Sequence, residues 1–398
     1  MSTRLDGVQI LRALAAVAVV SLHYTGQIGL YDHAGQPWLL RSGISLVGAS
    51  GVDIFFVISG FIMYYTKKES AGGGSASLSF LKRRAIRILP AYWFWNSLAL
   101  VILLLHLGYT SHIYNASSLA LTYLLVPSWM DGHWGLLLMP GWTLSYEAYF
   151  YLLFALGIAL APHRLLATYT ALVIGSLWVL SQFGLISARL GHISGDPLVF
   201  EFLYGMLIAH AVSRWSGSIP ALTRQRLGYL LLALGMAGFI STIFLPSAVH
   251  HRALAWGMPA TALVAGAVLT HIPALYHSRL LLLIGEASYS IYLSHQLPMM
   301  LLARCLKKGW FASVPPDLLA LVALIATVGI GMASYFLIER PVITMFSRRR
   351  PHAALRSTVS PGEPSSPRVR AGRIAQSEFG ESPHEGLVRP SHKQAGNA

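Results

Sequence analysis

The chain has a single cysteine, Cys305, in 398 residues. One thiol excludes an internal disulfide framework and any cysteine-built metal cluster. Charge is also scarce. Asp, Glu, Lys and Arg together make 11% of the chain, against about 25% in soluble domains. Acid is the scarcer sign, with 15 Asp and Glu against 29 Lys and Arg and a net charge of +14. The glycine triplet at 72–74 follows no strand, so it is not a phosphate loop. Histidine pairs such as His250–His251 lack metal-ligand spacing. No internal repeat is visible.

What is abundant is apolar sequence, at 55% of residues. Runs near 20 residues recur, the length a helix needs to cross about 30 Å of hydrocarbon. The expected fold is an all-α integral membrane bundle of about ten spans. They fall near 8–28, 46–66, 84–107, 141–161, 166–186, 199–213, 228–246, 254–271, 281–303 and 318–339. The short apolar segment 118–127 reads as an interfacial or re-entrant piece. The first run is interrupted by Arg12 and no small-residue cleavage site follows, so it is expected to remain as a span. Residues 1–345 form the membrane domain. From 346 to 398 the chain is basic and rich in Ser and Pro, and is expected to be disordered.

The basic excess carries orientation. Loop 67–83 holds Lys67, Lys68, Lys82 and Arg83, with Arg84 and Arg87 following, and loop 214–227 holds Arg214, Arg224 and Arg226. Arg41, Arg189 and Arg252 are nearly alone in the alternate loops. The positive-inside rule then places both termini in the cytoplasm, although Arg304, Lys307 and Lys308 dissent. The positive charge is read as facing anionic lipid, and no nucleic-acid partner is expected. AGGGSAS at 71–77 reads as a flexible linker on that inner side.

Ionisable groups inside spans are costly and are functional suspects by default. Arg12 and His23 lie eleven residues apart on the first run. At about 100° per residue they share a face, and at about 1.5 Å rise they sit roughly 16 Å apart in depth. Asp53, Glu147, Glu201 and His295 fall in the outer halves of their spans, near the depth of His23. A carboxylate holding one imidazole nitrogen would leave the other free as a base. The plainer alternative is buried polar pairs that fix helix packing. On the inner side Arg84 and Arg87 share a helix face. They could anchor the span, or hold phosphates through bidentate guanidinium contacts. Trp142 lies at an outer helix end, where aromatic anchoring is common, and it could also line a sugar groove.

Six stretches, in order, resemble the acyltransferase-3 family of membrane O-acyltransferases, and within it the exopolysaccharide-type acetyltransferases. They are LRALAAVAVVSLH at 11–23, GVDIFFVISGFIM at 51–63, FLKRRAIRILPAYW at 80–93, GWTLSYEAYFYLLFAL at 141–156, IGEASYSIYLSHQ at 284–296 and IERP at 338–341. The family's Arg-x10-His motif falls on Arg12 and His23, and its Arg-x-x-Arg motif on Arg84 and Arg87. Residues 146–147 are Tyr-Glu where many members have two acids, which leaves the role of Glu147 open. The resemblance implies transfer of an acyl group, with acetyl first in line, from cytoplasmic acyl-CoA to a polysaccharide or lipid-linked glycan at the cell inner membrane. Acyl-CoA is a co-substrate here, with no bound cofactor and no metal expected. Arg12, Arg84 and Arg87 would hold the CoA phosphates. His23 would be general base or acyl carrier, with Glu147 or Asp53 orienting it, and Trp142 and His295 would contact substrate. A transporter could use the same charges as a proton or substrate path, but it predicts inverted repeats. A non-enzymatic scaffold for glycan export would need no basic CoA site.

Overall fold

Backbone amides in lipid have no water to bond, so long apolar runs must satisfy themselves as helices. The structure is a computed structural model. It describes residues 2–348 except 32–35, 68–71, 108–113, 131, 216, 246–250 and 273–276. The principal helices are α1 (Ser2–Gly29), α2 (Gly51–Lys67), α3 (Gly74–Leu104), α4 (Gly141–Leu160), α5 (Leu166–Gln182) and α6 (Val199–Trp215). There follow α7 (Ala221–Phe244), α8 (Gly257–Leu269), α9 (Arg279–Ser294), α10 (Gln296–Lys307), α11 (Pro316–Ser334) and α12 (Arg340–Arg348). Among the described residues, seven helical stretches are long and apolar enough to cross a membrane. The expected segments at 166–186, 199–213 and 281–303 are helical too, but α5 and α6 reach only 17 residues and α9 only 16.

Helix α1 is the hub, packing against α2, α8, α9 and α11. Two of its neighbours meet their partners through glycine. A Cβ on Gly60 of α2 would strike the Phe202 carbonyl of α6, and one on Gly205 would strike the Val57 carbonyl. Gly285 of α9 faces the Gln9 carbonyl of α1 in the same way. Such backbone contact is how helices associate where lipid offers no hydrophobic drive. The sides facing away from the bundle are apolar. Leu234 on α7 is 54% exposed and Ile325 on α11 is 62% exposed, whereas Val57 and Phe61 of α2 are buried. An apolar outside suits a lipid surround.

Three local features differ from expectation. The glycine linker is shorter than its composition implied, because α3 already begins at Gly74. Its start is tied to α4: the Gly73 amide donates to the Ile158 carbonyl at 2.9 Å, and Ser77 Oγ to the Ala155 carbonyl at 2.7 Å. The span expected at 281–303 breaks at His295. Pro298 has no N–H to bond the carbonyl four residues back, so the helix restarts there. The last span passes through a π turn at Tyr335–Glu339, just before Pro341, a site type often tied to function. Between α3 and α4, Ala116–Tyr123 forms a short helix capped by Asn115. An antiparallel hairpin of β1 (Ser128–Met130) and β2 (His133–Gly135) follows and pairs Trp129 with Trp134. The tail from 346 lies outside the described residues beyond Arg348.

Candidate active site

Four cavities adjoin through the bundle. The first is basic, about 390 Å³, and walled by Lys67, Ser79, Phe80, Arg83 and Arg84. Arg84 also lines the second, where Arg12, Arg87, Ser59, Glu147 and Tyr151 converge among apolar side chains in about 130 Å³. Val52 and Tyr292 line both the second and the third, which holds His23 and His295 in about 210 Å³. Trp142 and Arg252 line both the third and the fourth, a cleft of about 520 Å³ with Trp134, Tyr146, His192 and Asp196. The polar groups therefore form a series from an arginine-rich end of the bundle to an aromatic one.

The three expected arginines meet in the second cavity, carried there by α1 and by one turn of α3. Arg87 pairs with Glu339 at 2.7 Å, a close contact that is not aligned as a hydrogen bond. The other Glu339 oxygen accepts from Ser290 Oγ at 2.7 Å. Arg12 donates to Gln9 on its own helix at 3.2 Å. Arg84 lies 5.6 Å from the Phe80 ring and 5.8 Å from the Tyr151 ring, and its buried Nε–H has no partner. Buried donors are normally satisfied, and an unmatched one has its full desolvation cost standing. Among the described residues, no carboxylate pairs with Arg12 or Arg84 at ion-pair distance. Three guanidinium groups thus face one carboxylate, Glu147, in the lining of this cavity.

Glu147 lies on this wall rather than beside His23. It accepts from Ser59 Oγ at 2.9 Å and from the Tyr151 hydroxyl. Asp53 is fully buried and also leaves His23 alone. It accepts two bonds from Arg252, at 2.9 Å from Nη2 and 3.2 Å from Nε. The expected carboxylate–imidazole pair is therefore not formed. Depth placed these acids near His23, but helix azimuth turned them elsewhere.

His23 is oriented by its own helix. Its Nδ1 lies 2.7 Å from the Val19 carbonyl. A carbonyl can only accept, so Nδ1 carries the proton and Nε2 keeps a free lone pair. His295 repeats the device with the Tyr292 carbonyl. The two rings lie 4.9 Å apart, tilted by 45°. His295 is 2% exposed, whereas His23 is half-buried and more open to the cavity. Trp142 stands at the far wall, with the Arg252 guanidinium 6.0 Å from its ring. Glu201 is buried on α6 beside Asp53 and Arg252.

Sequence reasoning missed Arg252, which was counted as a loop cation, and Glu339, which sat inside a quoted motif. A carboxylate in an apolar span is a suspect by rule, so Glu339 was findable. Nothing in the sequence marked Arg252 as the partner of an acid 199 residues away.

An all-helical bundle of membrane-length helices around a polar passage defines a multi-pass membrane protein with a built internal site. A profile of the acyltransferase domain matches residues 5–336, and the chain belongs to the acyltransferase-3 family and is an acyltransferase. It is 29% identical over 315 residues to the exopolysaccharide production protein ExoZ of Rhizobium meliloti strain 1021, covering 78% of this chain and 94% of that one. It is 27% identical to nodulation protein 10 of Rhizobium leguminosarum bv. viciae, covering 84% of this chain and 92% of that one. It is 26% identical to the acyltransferase MdmB of Streptomyces mycarofaciens, covering 88% and 94%. No solved structure matches the chain significantly.

Proposed function

We propose that this acyltransferase moves an acetyl group from cytoplasmic acetyl-CoA to a hydroxyl of an exported polysaccharide or lipid-linked glycan. One observation carries the reading: the four adjoining cavities lead from unmatched arginines to a histidine with a free lone pair. The diphosphate and 3′-phosphate of CoA supply the anions for Arg12 and Arg84, with Arg87 and the basic Lys67–Arg83 mouth beside them. The acyl arm passes Glu147 and Tyr292 and presents its thioester near His23. His23 Nε2 takes the proton of the acceptor hydroxyl as its oxygen attacks the thioester carbonyl. The C–S bond breaks, and the imidazolium returns the proton to the departing CoA thiolate. The Val19 carbonyl holds the ring, so no carboxylate is needed to set its tautomer. The polysaccharide in the name of the Rhizobium meliloti relative supports the choice of acceptor.

In the same reading α5, α6 and the broken α9–α10 also span, which makes ten crossings. An even number puts both termini on one side, and the loop cations make that side the cytoplasm of the inner membrane. The test is incubation of full-length protein in lipid nanodiscs with labelled acetyl-CoA and candidate polysaccharides. Label is expected in the glycan and free CoA in solution. No transfer from any acyl donor, together with no CoA binding, would overturn the proposal.

A further inference from the structure

The fourth cavity, beyond Trp142, is used by no step above. Its floor is built by three separate parts of the chain. Trp134 projects from the hairpin and lies against the His192 ring, with centroids 5.9 Å apart and 22° between planes. Trp129 backs it edge-on at 5.5 Å. Tyr146 of α4 meets the other side of His192 at 6.4 Å, and its hydroxyl donates to Asp196 Oδ2 at 2.9 Å. Asp196 Oδ1 accepts from the Leu198 amide at 3.0 Å. Each carboxylate oxygen is thus fixed by one donor while keeping a further lone pair. The result is an aromatic platform beside a rigid acceptor, in a volume typical of small-molecule sites, which run about 300–1,000 Å³.

We infer that this cleft seats the acceptor as an uncharged sugar ring, stacked on Trp134 with its hydroxyls on Asp196 and His192. This rests on the acyl-transfer reading above. Two observations select a sugar. Aromatic faces suit the C–H faces of a pyranose, whose rim of hydroxyls demands fixed polar partners. The cleft also shares Trp142 and Arg252 with the His23 cavity, so a ring seated here can extend one hydroxyl toward Nε2. Charge selects a neutral sugar. Arg252 is already neutralised by Asp53, and Asp196 is the carboxylate that faces the cleft. Partial burial pushes the His192 imidazole down from its usual value against the pull of Asp196, which disfavours its cationic form. A uronate here would meet Asp196, and among the described residues that line the cleft the one arginine, Arg252, is already paired with Asp53.

The experiment uses full-length protein in nanodiscs and two readouts. The first needs no chemistry: saturation-transfer NMR with methyl β-glucopyranoside, methyl β-galactopyranoside and methyl β-glucuronide. Binding of a neutral glycoside is expected, and is lost in Trp134→Ala and kept in Trp134→Phe. The glucuronide should give no signal. The second readout is kinetic. Trp134→Ala and the exposed His192→Ala should each raise the acceptor KM about ten-fold or more while leaving the acetyl-CoA KM unchanged. His192→Ala guards against loss of the hairpin in the tryptophan variant. An unchanged acceptor KM in both variants overturns the inference, as does a glucuronide that binds as well as the neutral sugars. If no acyl donor reacts but glycosides still contact Trp134, the sugar site stands and the transfer reading falls. If lipid fills the cleft, glycosides give no signal and the sugar site falls alone.

Discussion

The arginine cavity and the histidine cavity sit on the same helix, α1, and handle charge in opposite ways. Among the described residues that line the His23 cavity, Arg252 is held by Asp53 at 2.9 Å, and the two imidazoles donate to backbone carbonyls. Around Arg12 the balance is left open, with Arg84 Nε buried and unbonded. In a low-dielectric site an unmatched cation is expensive unless something else supplies the anion. The difference teaches which end waits for a charged substrate and which end is preset for neutral chemistry. A thioester carbonyl, a hydroxyl and a neutral imidazole carry no net charge between them. CoA phosphates carry several.

The sharpest way to break this contrast is at His23. Replacing it with alanine removes the proton acceptor, and general-base catalysis contributes about 10²–10⁴-fold. His23→Ala is expected to lower turnover by that factor while CoA binding, measured by isothermal titration, stays within two-fold or so. Equal loss of both would merge the two cavities into one function. His295→Gln, at a more buried ring, should cost less than His23→Ala.

The matched end also predicts a stability effect. Arg252 is flanked by Asp53 of α2 and Glu201 of α6. Removing both acids, as Asp53→Asn with Glu201→Gln, leaves a largely buried guanidinium without its helix partners. Stranding one member of a buried pair costs about 3–5 kcal/mol, to be read as a fall in thermal stability of the nanodisc protein. Adding Arg252→Met should recover most of it, because three neutral groups pack where an ion cluster stood. A triple variant no more stable than the double would mean that the arginine itself, through Trp142 and Trp256, holds the cleft together.

These contrasts were only partly legible in the sequence. Arg12 and His23 could be placed on one face because helical periodicity is local and α1 is unbroken from Ser2 to Gly29. Arg84 and Arg87 followed from the same rule. Glu147 could be assigned a depth but not a side, and its partners Ser59 and Tyr151 turned it toward the arginines. Asp53 looks in sequence like a companion for His23, but Arg252 claims it, and that pairing depends on how α2 packs against the short helix Arg252–Ala255 that precedes α8, which no local pattern encodes. The break at His295 was written in Pro298, yet an apolar run either side of it read as one continuous span. Trp134 belonged to a loop whose hairpin is only three residues per strand, too short for any alternation to declare it.

The open end should respond in affinity rather than rate. Arg84→Met keeps the apolar stem between Phe80 and Tyr151 and deletes the charge. A hydrogen bond to a charged group is worth about 1.5–3 kcal/mol, so the acetyl-CoA KM should rise roughly ten- to hundred-fold. Turnover at saturating donor should change little. If turnover falls instead, Arg84 acts on the thioester and not on the phosphates.

The smallest expected effect tests whether Arg87 belongs to the open end or to the matched one. It is the arginine of the three with a carboxylate partner, and that partner, Glu339, sits in the π turn with Ser290 on its other oxygen. The contact is close but poorly aligned, the geometry of a guanidinium steered rather than consumed. Glu339→Gln keeps the shape and the Ser290 bond while removing the charge. If Glu339 only aims Arg87, the freed guanidinium gains attraction for phosphate but loses its orientation. The two effects offset, and the acetyl-CoA KM should move by no more than about three-fold, under 1 kcal/mol. A rise as large as that of Arg84→Met would instead show that Arg87 reaches its ligand only when Glu339 positions it, and pairing Glu339→Gln with Arg87→Met would then add nothing further.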